Sequence, residues 1–145
     1  MSSASEQRGT EGVPSPFREV LSQSLRANET ARHVIFSWEF SAGKFRTLPS
    51  VLCVTNQRWL MVFRQNDGSI TIDAASFEET VLIELTIILL YGKLKIDFVR
   101  DGQVRSATLY FNTVIGHLYS RAIYDMLDAI DLISVRKTRS HSSAC

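Results

Sequence analysis

Large apolar residues alternate with polar ones along much of this chain, and the period of the alternation changes at definite points. From Val34 to Phe40 every even position is large and apolar, which predicts a half-buried strand. Two apolar runs follow, Val51 to Val54 and Trp59 to Phe63, joined by a short polar link containing Asn56. They predict an antiparallel hairpin, with Asn56 tolerating the left-handed backbone of a tight turn. Asn66-Asp67-Gly68-Ser69 predicts a second turn, into a strand that opens at Ile70 and Ile72. Thr80 to Tyr91 is rich in β-branched residues and predicts a strand covered on most of both sides. Leu94, Ile96 and Phe98 alternate with Lys93, Lys95 and Asp97, so one face is buried and one wet. Asp101-Gly102 is a type I′ turn signal, after which Gln103 to Phe111 pairs back.

The period is helical at both ends. Phe17, Val20, Leu21 and Leu25 make one apolar stripe, with Ser15 as N-cap, Pro16 at the first helical position and Asn28 as the stop. Ile115, Leu118, Tyr119, Ala122, Ile123, Met126, Leu127 and Ile130 make a wider stripe on a closing helix capped by Asn112 or Thr113. Leu118, Ile123, Met126 and Leu127 are expected against the sheet, and Arg121 is within reach of Asp125 one turn on. The expected organisation is a disordered segment over 1–14, one domain over 15–131, and a basic, Ser-rich disordered tail over 132–145.

Charge narrows the function classes. The net charge is +1, but between His33 and Asp131 nine Lys and Arg face eleven Asp and Glu. A nucleic-acid binder carries a basic surplus on its folded part, so no nucleic-acid partner is expected. The polar N-terminus does not read as a secretory signal, and the run from Val81 to Tyr91 is far shorter than the roughly 20 residues of a bilayer span. Cys53 sits in an apolar run and reads as a buried small hydrophobe, and Cys145 ends the chain. No structural disulfide is expected, and a reducing cytoplasm is the expected location.

One helix, a string of hairpin-linked strands and a closing helix favour a barrel or sandwich with one end stoppered by that helix. Leu52-Cys53-Val54-Thr55-Asn56-Gln57-Arg58-Trp59-Leu60 resembles the "Leu-x-x-Thr-x-x-Arg-hydrophobic-hydrophobic" hairpin of short bacterial pleckstrin-homology (PH) domains and the related GRAM domains. Leu25-Arg26-Ala27-Asn28-Glu29 resembles the acidic lead-in before their first strand, and Gly92-Lys93-Leu94-Lys95-Ile96 and the closing helix also fit. The resemblance covers roughly residues 20 to 131. It implies a mainly β fold with α, a PH-like barrel of two near-orthogonal antiparallel sheets capped by the C-terminal helix, with a short N-terminal helix in front. It also implies a binding module rather than an enzyme.

PH domains that hold phosphoinositides often carry a Lys/Arg-x-Arg pair near the first loop. Lys44 and Arg46 match that pair, while the family's earlier lysine is missing, since Trp38, Glu39 and Phe40 occupy its region. Arg58 recurs in the resembling hairpins. With Lys44 and Arg46 it makes a candidate anion site; its structural role would be to satisfy turn carbonyls or pair with an acid. His33, His117 and His141 have no Cys or carboxylate at ligand spacing, so no metal site is expected. Glu78 and Glu79 are adjacent on the chain and diverge, and there is no Gly-rich phosphate loop. No catalytic residue and no cofactor are expected. Trp38 and Trp59 are placed in the core, and Tyr124 opposite the helix stripe.

The expected function is a non-catalytic module that binds a protein partner or another copy of itself. The alternative is weak association with an anionic membrane surface, and a small enzyme is the third class. An open or apolar sheet edge favours the first, a basic cluster of Lys44, Arg46 and Arg58 the second, and a pocket of perturbed titratable groups the third.

Overall fold

A computed structural model describes the backbone over residues 12–42 and 44–143, and side chains over 12–41, 44 and 46–132. The elements run in the order α1 (Ser15–Ser24), β1 (Ala31–Ser37), β2 (Ser41–Ala42), β3 (Phe45–Arg46), β4 (Ser50–Thr55), β5 (Arg58–Arg64), β6 (Ile70–Ser76), β7 (Thr80–Ile88), β8 (Tyr91–Arg100) and β9 (Gln103–Asn112). A 3₁₀ turn over Thr113–Ile115 leads into α2 (Gly116–Ser143). The strands form a four-stranded antiparallel sheet, β1-β4-β5-β6, a small hairpin β2-β3, and a three-stranded antiparallel sheet, β7-β8-β9. Four strands, then three, then a closing helix is the PH-like arrangement that the resemblance implies.

The main core lies between the two sheets and α2. It is built from Ile35, Leu52, Trp59, Met61, Leu94, Ile96, Phe98, Leu109, Phe111, Tyr119 and Met126, among others. Trp59 Nε1 donates to Thr80 Oγ1 at 2.9 Å, so the indole is buried with its one polar atom satisfied. Phe111 stacks on Tyr119 at 4.1 Å and lies across Gly92, where an added Cβ would sit 2.2 Å from its ring. Glycine is required there because an aromatic ring occupies the space of a side chain. Tyr119 also hydrogen-bonds the buried Ser37 hydroxyl, tying α2 to β1.

A second core lies on the outer face of the four-stranded sheet. Val51, Cys53, Leu60 and Val62 point outward and are covered by Val13, Phe17 and Leu21. Every residue of β4 is therefore buried. Burying Phe17 and Leu21 stabilises the docking of α1 by about 1.5–3 kcal/mol each.

Several expectations change. Val13 is buried and belongs to the folded unit, because the outer face of β4 and β5 needs a cover; Met1 to Glu11 lie outside the described residues. The N-cap of α1 is Pro14 and not Ser15, with its carbonyl accepting the Phe17 and Arg18 N–H groups at 3.1 Å. The β4–β5 turn does not use a left-handed Asn56. Thr55 Oγ1 accepts the Gln57 and Arg58 N–H groups at 3.0 Å and shapes the turn instead. Trp38 is 69 % exposed, because on β1 the odd residues Ile35 and Ser37 face the main core and the even ones face outward.

On α2 the buried stripe is Tyr119, Ala122 and Met126, while Leu127 is 41 % exposed, since the helix rests on a narrower strip than its apolar surface offers. Asp125 meets His33 of β1 at 2.5 Å and not Arg121. Helical backbone runs on to Ser143, through most of the segment expected to be a disordered tail. Residues 117–143 contain no Gly or Pro to stop it. Asp101 and Gly102, with φ of 54° and 74°, make the expected primed turn, and Asn112 caps the 3₁₀ turn by accepting the Val114 N–H at 3.0 Å.

Candidate functional site

The three basic residues singled out by sequence do not converge. Lys44 lies exposed in the turn of the β2–β3 hairpin. Arg46 is on β3, where it pairs with Glu39 at 3.2 Å. The two bases are thus not alternate positions on one strand. Arg58 opens β5, and the cleft that holds Arg46 is lined by Arg64 at the far end of the same strand. Six residue steps along a strand separate those ends by roughly 20 Å.

Arg58 has a different partner. Its Nε donates to Glu29 Oε2 at 2.8 Å, and a terminal nitrogen donates to Glu29 Oε1 at 2.9 Å and to the Ser24 carbonyl at 2.6 Å. Glu29 also accepts from Thr55 Oγ1 at 2.7 Å and from the Arg26 N–H at 3.1 Å. Burial alone would raise the Glu29 carboxyl. The hydrogen bonds from Arg58, Thr55 and Arg26 and the Arg58 charge outweigh it and hold the group down at about 2. The same carboxylate raises Arg58, against burial. The pair binds α1 and the following loop to the β4–β5 turn, so Arg58 fills the structural role.

The exposed apolar surface lies elsewhere. β7 is an edge strand: β8 pairs with one side, and among the described residues no strand pairs with the other. Val81 is 62 % exposed, and Leu82, Ile87 and Ile88 are exposed with it. The strand ends in a tight turn at Leu89 and Leu90, which are 92 % and 68 % exposed. Leu89 has a φ of 45°, a left-handed backbone that leucine rarely adopts. The expected cover on most of both sides of Thr80 to Tyr91 is not found, since within β7 only Thr80 is buried. A β-branched run marks a strand without saying whether other elements cover its faces or pair with its edge, and among the described residues no strand pairs with this edge. Native edges are usually blunted by charge, proline or a bulge. A bulge between Thr80 and Leu82 and the single charge of Glu84 are what β7 offers.

An open cleft of about 630 Å³ separates the β4–β5 and β6–β7 turns from α2 and mixes Arg26 and Arg32 with Glu78, Asp125 and Asp128. Among the described residues no three His, Cys, Asp or Glu gather as metal ligands. No helix among them is long and apolar enough to cross a membrane.

No family model matches the chain, and no curated protein matches it. Among solved structures it is similar to a DUF1696-family protein with a pleckstrin-homology domain from Shewanella loihica PV-4, at 12 % identity over 72 % of this chain and 89 % of that one, with a TM-score of 0.44. The four-stranded and three-stranded antiparallel sheets and the closing helix described above are the arrangement expected of a PH-like fold.

Proposed function

We propose that this PH-like domain is a non-catalytic interaction module that takes a strand from a protein partner, or from a second copy of itself, along the free edge of β7. The open, apolar β7 edge is the observation that carries the reading. A partner strand would satisfy the outward backbone N–H and C=O groups, while its side chains covered Val81, Leu82, Ile87 and Ile88. A membrane surface serves the edge less well, because hydrocarbon gives no partner to strand-edge backbone groups. The anionic-membrane reading also loses Arg58, whose charge is already matched by Glu29. The cytoplasm remains the expected location.

Two experiments test the reading. Light scattering over a range of concentrations should show self-association, or else affinity capture should retain a partner. Val81→Lys with Ile87→Lys should abolish that association while the melting temperature stays close to wild type, because both residues are exposed. Association that persists unchanged in the double variant overturns the β7 reading. For the membrane alternative, retention on acidic vesicles at low salt that is lost in Lys44→Ala with Arg46→Ala would replace it.

A further inference from the structure

The outer face of the four-stranded sheet carries a groove where the cover given by α1 runs out. Phe17 packs on Phe36 at 5.4 Å, and Phe36 meets Trp38 edge-on at 4.6 Å. These rings line the groove, of about 290 Å³, together with Pro14, Pro49, Ile70 and Arg64. The three prolines of the chain, Pro14, Pro16 and Pro49, all line it. These rings are rigid and carry no N–H, so the walls are apolar and little side-chain entropy is lost when they are covered.

Trp38 and Arg64 differ from their neighbours. Trp38 is held by Phe36 and still presents most of its surface to water. The Arg64 guanidinium is exposed and has no ion pair or hydrogen bond among the described residues, whereas nearby Arg46 is matched by Glu39. Tryptophan and arginine are the residue types most enriched where proteins grip one another. An apolar groove lined by one unmatched cation is complementary to an apolar group with an anion beside it. The groove is concave and carries a single cation, which suits an inserted side chain better than the flat surface of a bilayer.

We propose that this groove is a recognition site for a short linear peptide, with one large apolar side chain laid on Trp38 and a neighbouring carboxylate paired with Arg64. The site is separate from β7 and does not depend on how that edge is used. A bidentate carboxylate–guanidinium contact gives direction, and the indole gives most of the contact area.

The probe is a fluorescein-labelled peptide with a leucine–phenylalanine pair followed by two aspartates, read by anisotropy. A matched peptide with lysines in place of the aspartates is the control. Saturable binding of the aspartate peptide is expected, and the lysine peptide should bind about tenfold more weakly or worse, as the loss of a charge-assisted hydrogen bond implies. Trp38→Ala should abolish binding, Arg64→Ala should weaken it by a similar factor, and Arg64→Lys should restore part of it. Both residues are exposed, so unchanged melting temperatures are expected and verify that the variants fold. Absence of saturable binding, equal binding of the lysine peptide, or indifference to both substitutions overturns the proposal. Binding to phosphatidylserine vesicles that needs Trp38 and Arg64, with none to the peptide, overturns it in favour of a lipid surface.

Discussion

Arg58 holds both oxygens of the Glu29 carboxylate, at 2.8 and 2.9 Å, across the join between α1 and the β4–β5 turn. The Glu29 side chain is wholly buried, so its charge depends on this partner. Glu29→Ala strands the guanidinium and is expected to cost about 3–5 kcal/mol, as removing one member of a buried pair does. Urea melts measure it. A loss under about 1 kcal/mol would mean that the pair is solvated and close to a surface salt bridge in worth.

The same carboxylate sets an acid limit. Its folded value of about 2 lies below the ordinary 4.5, so the unfolded chain binds the proton first as pH falls. Stability from Glu29 is full above about 4.5 and is lost progressively towards pH 2. The acid slope of unfolding free energy between those values should flatten in Glu29→Gln. An unchanged slope would assign acid sensitivity to other carboxylates.

Two buried groups, Cys53 and Tyr119, titrate in the opposite sense. Burial pushes the Cys53 thiol from 9.0 up to about 12, helped by the Glu29 charge and opposed by Arg58. Burial also raises Tyr119, against the hydrogen bond from Ser37. Their stabilising share is present below the unfolded values and is lost as pH rises through the folded ones, from about 9 upward for Cys53. In a Cys145→Ser background, Cys53 should resist a thiol reagent at pH 8 until denaturant is added. Rapid labelling of the native protein would show that the outer core opens readily.

Gly92→Ala should destabilise by about 1–3 kcal/mol, as overpacking does, because the new methyl meets the Phe111 ring. Phe111→Leu should cost less in the Gly92→Ala background than in wild type. Thermal melts of the four proteins give that coupling directly, and strict additivity would show that the ring moves aside without cost.

Met126 and Leu127 are neighbours on α2 with opposite surroundings. Met126→Ala is expected to cost about 2–5 kcal/mol and Leu127→Ala under about 1 kcal/mol, since only Met126 is fully buried. Equal losses in chemical denaturation would place both in the core.

Alternation made the strands legible, and turn chemistry made the hairpins legible: the Asp101-Gly102 turn and the β8 faces lie where the pattern put them. Choice of face was harder. From Val34 on, the even positions of β1 are apolar, yet the main core takes Ile35 and, through its hydrogen bond to Tyr119, Ser37, because a second core under α1 takes Val34 and Phe36. Nothing in the local pattern says that a sheet is covered twice. The partner of Arg58 was equally out of sight: Glu29 lies far back in the chain, and only the loop after α1 brings it to the turn. A base such as Arg64 at the end of a strand is ordinary in sequence; the β4–β5 register, with Ser50 opposite Phe63, is what brings it beside Pro49, whose carbonyl accepts the Arg64 N–H at 3.2 Å.

The doubly covered hairpin has a further consequence. When a strand is wet on one side, a slip of one residue throws its apolar side chains into water, and the hydrophobic pattern forbids the slip. Val51, Leu52, Cys53 and Val54 are all apolar, so the same slip here exchanges one greasy face for another. Burial is nearly degenerate between the two pairings. What separates them is polar and sits at one end: Thr55 fits its hydroxyl to two turn N–H groups and to Glu29 in one alignment only. Thr55→Val, which keeps the shape and removes the hydroxyl, is therefore expected to leave a chain that still collapses but has lost its reason to choose between pairings.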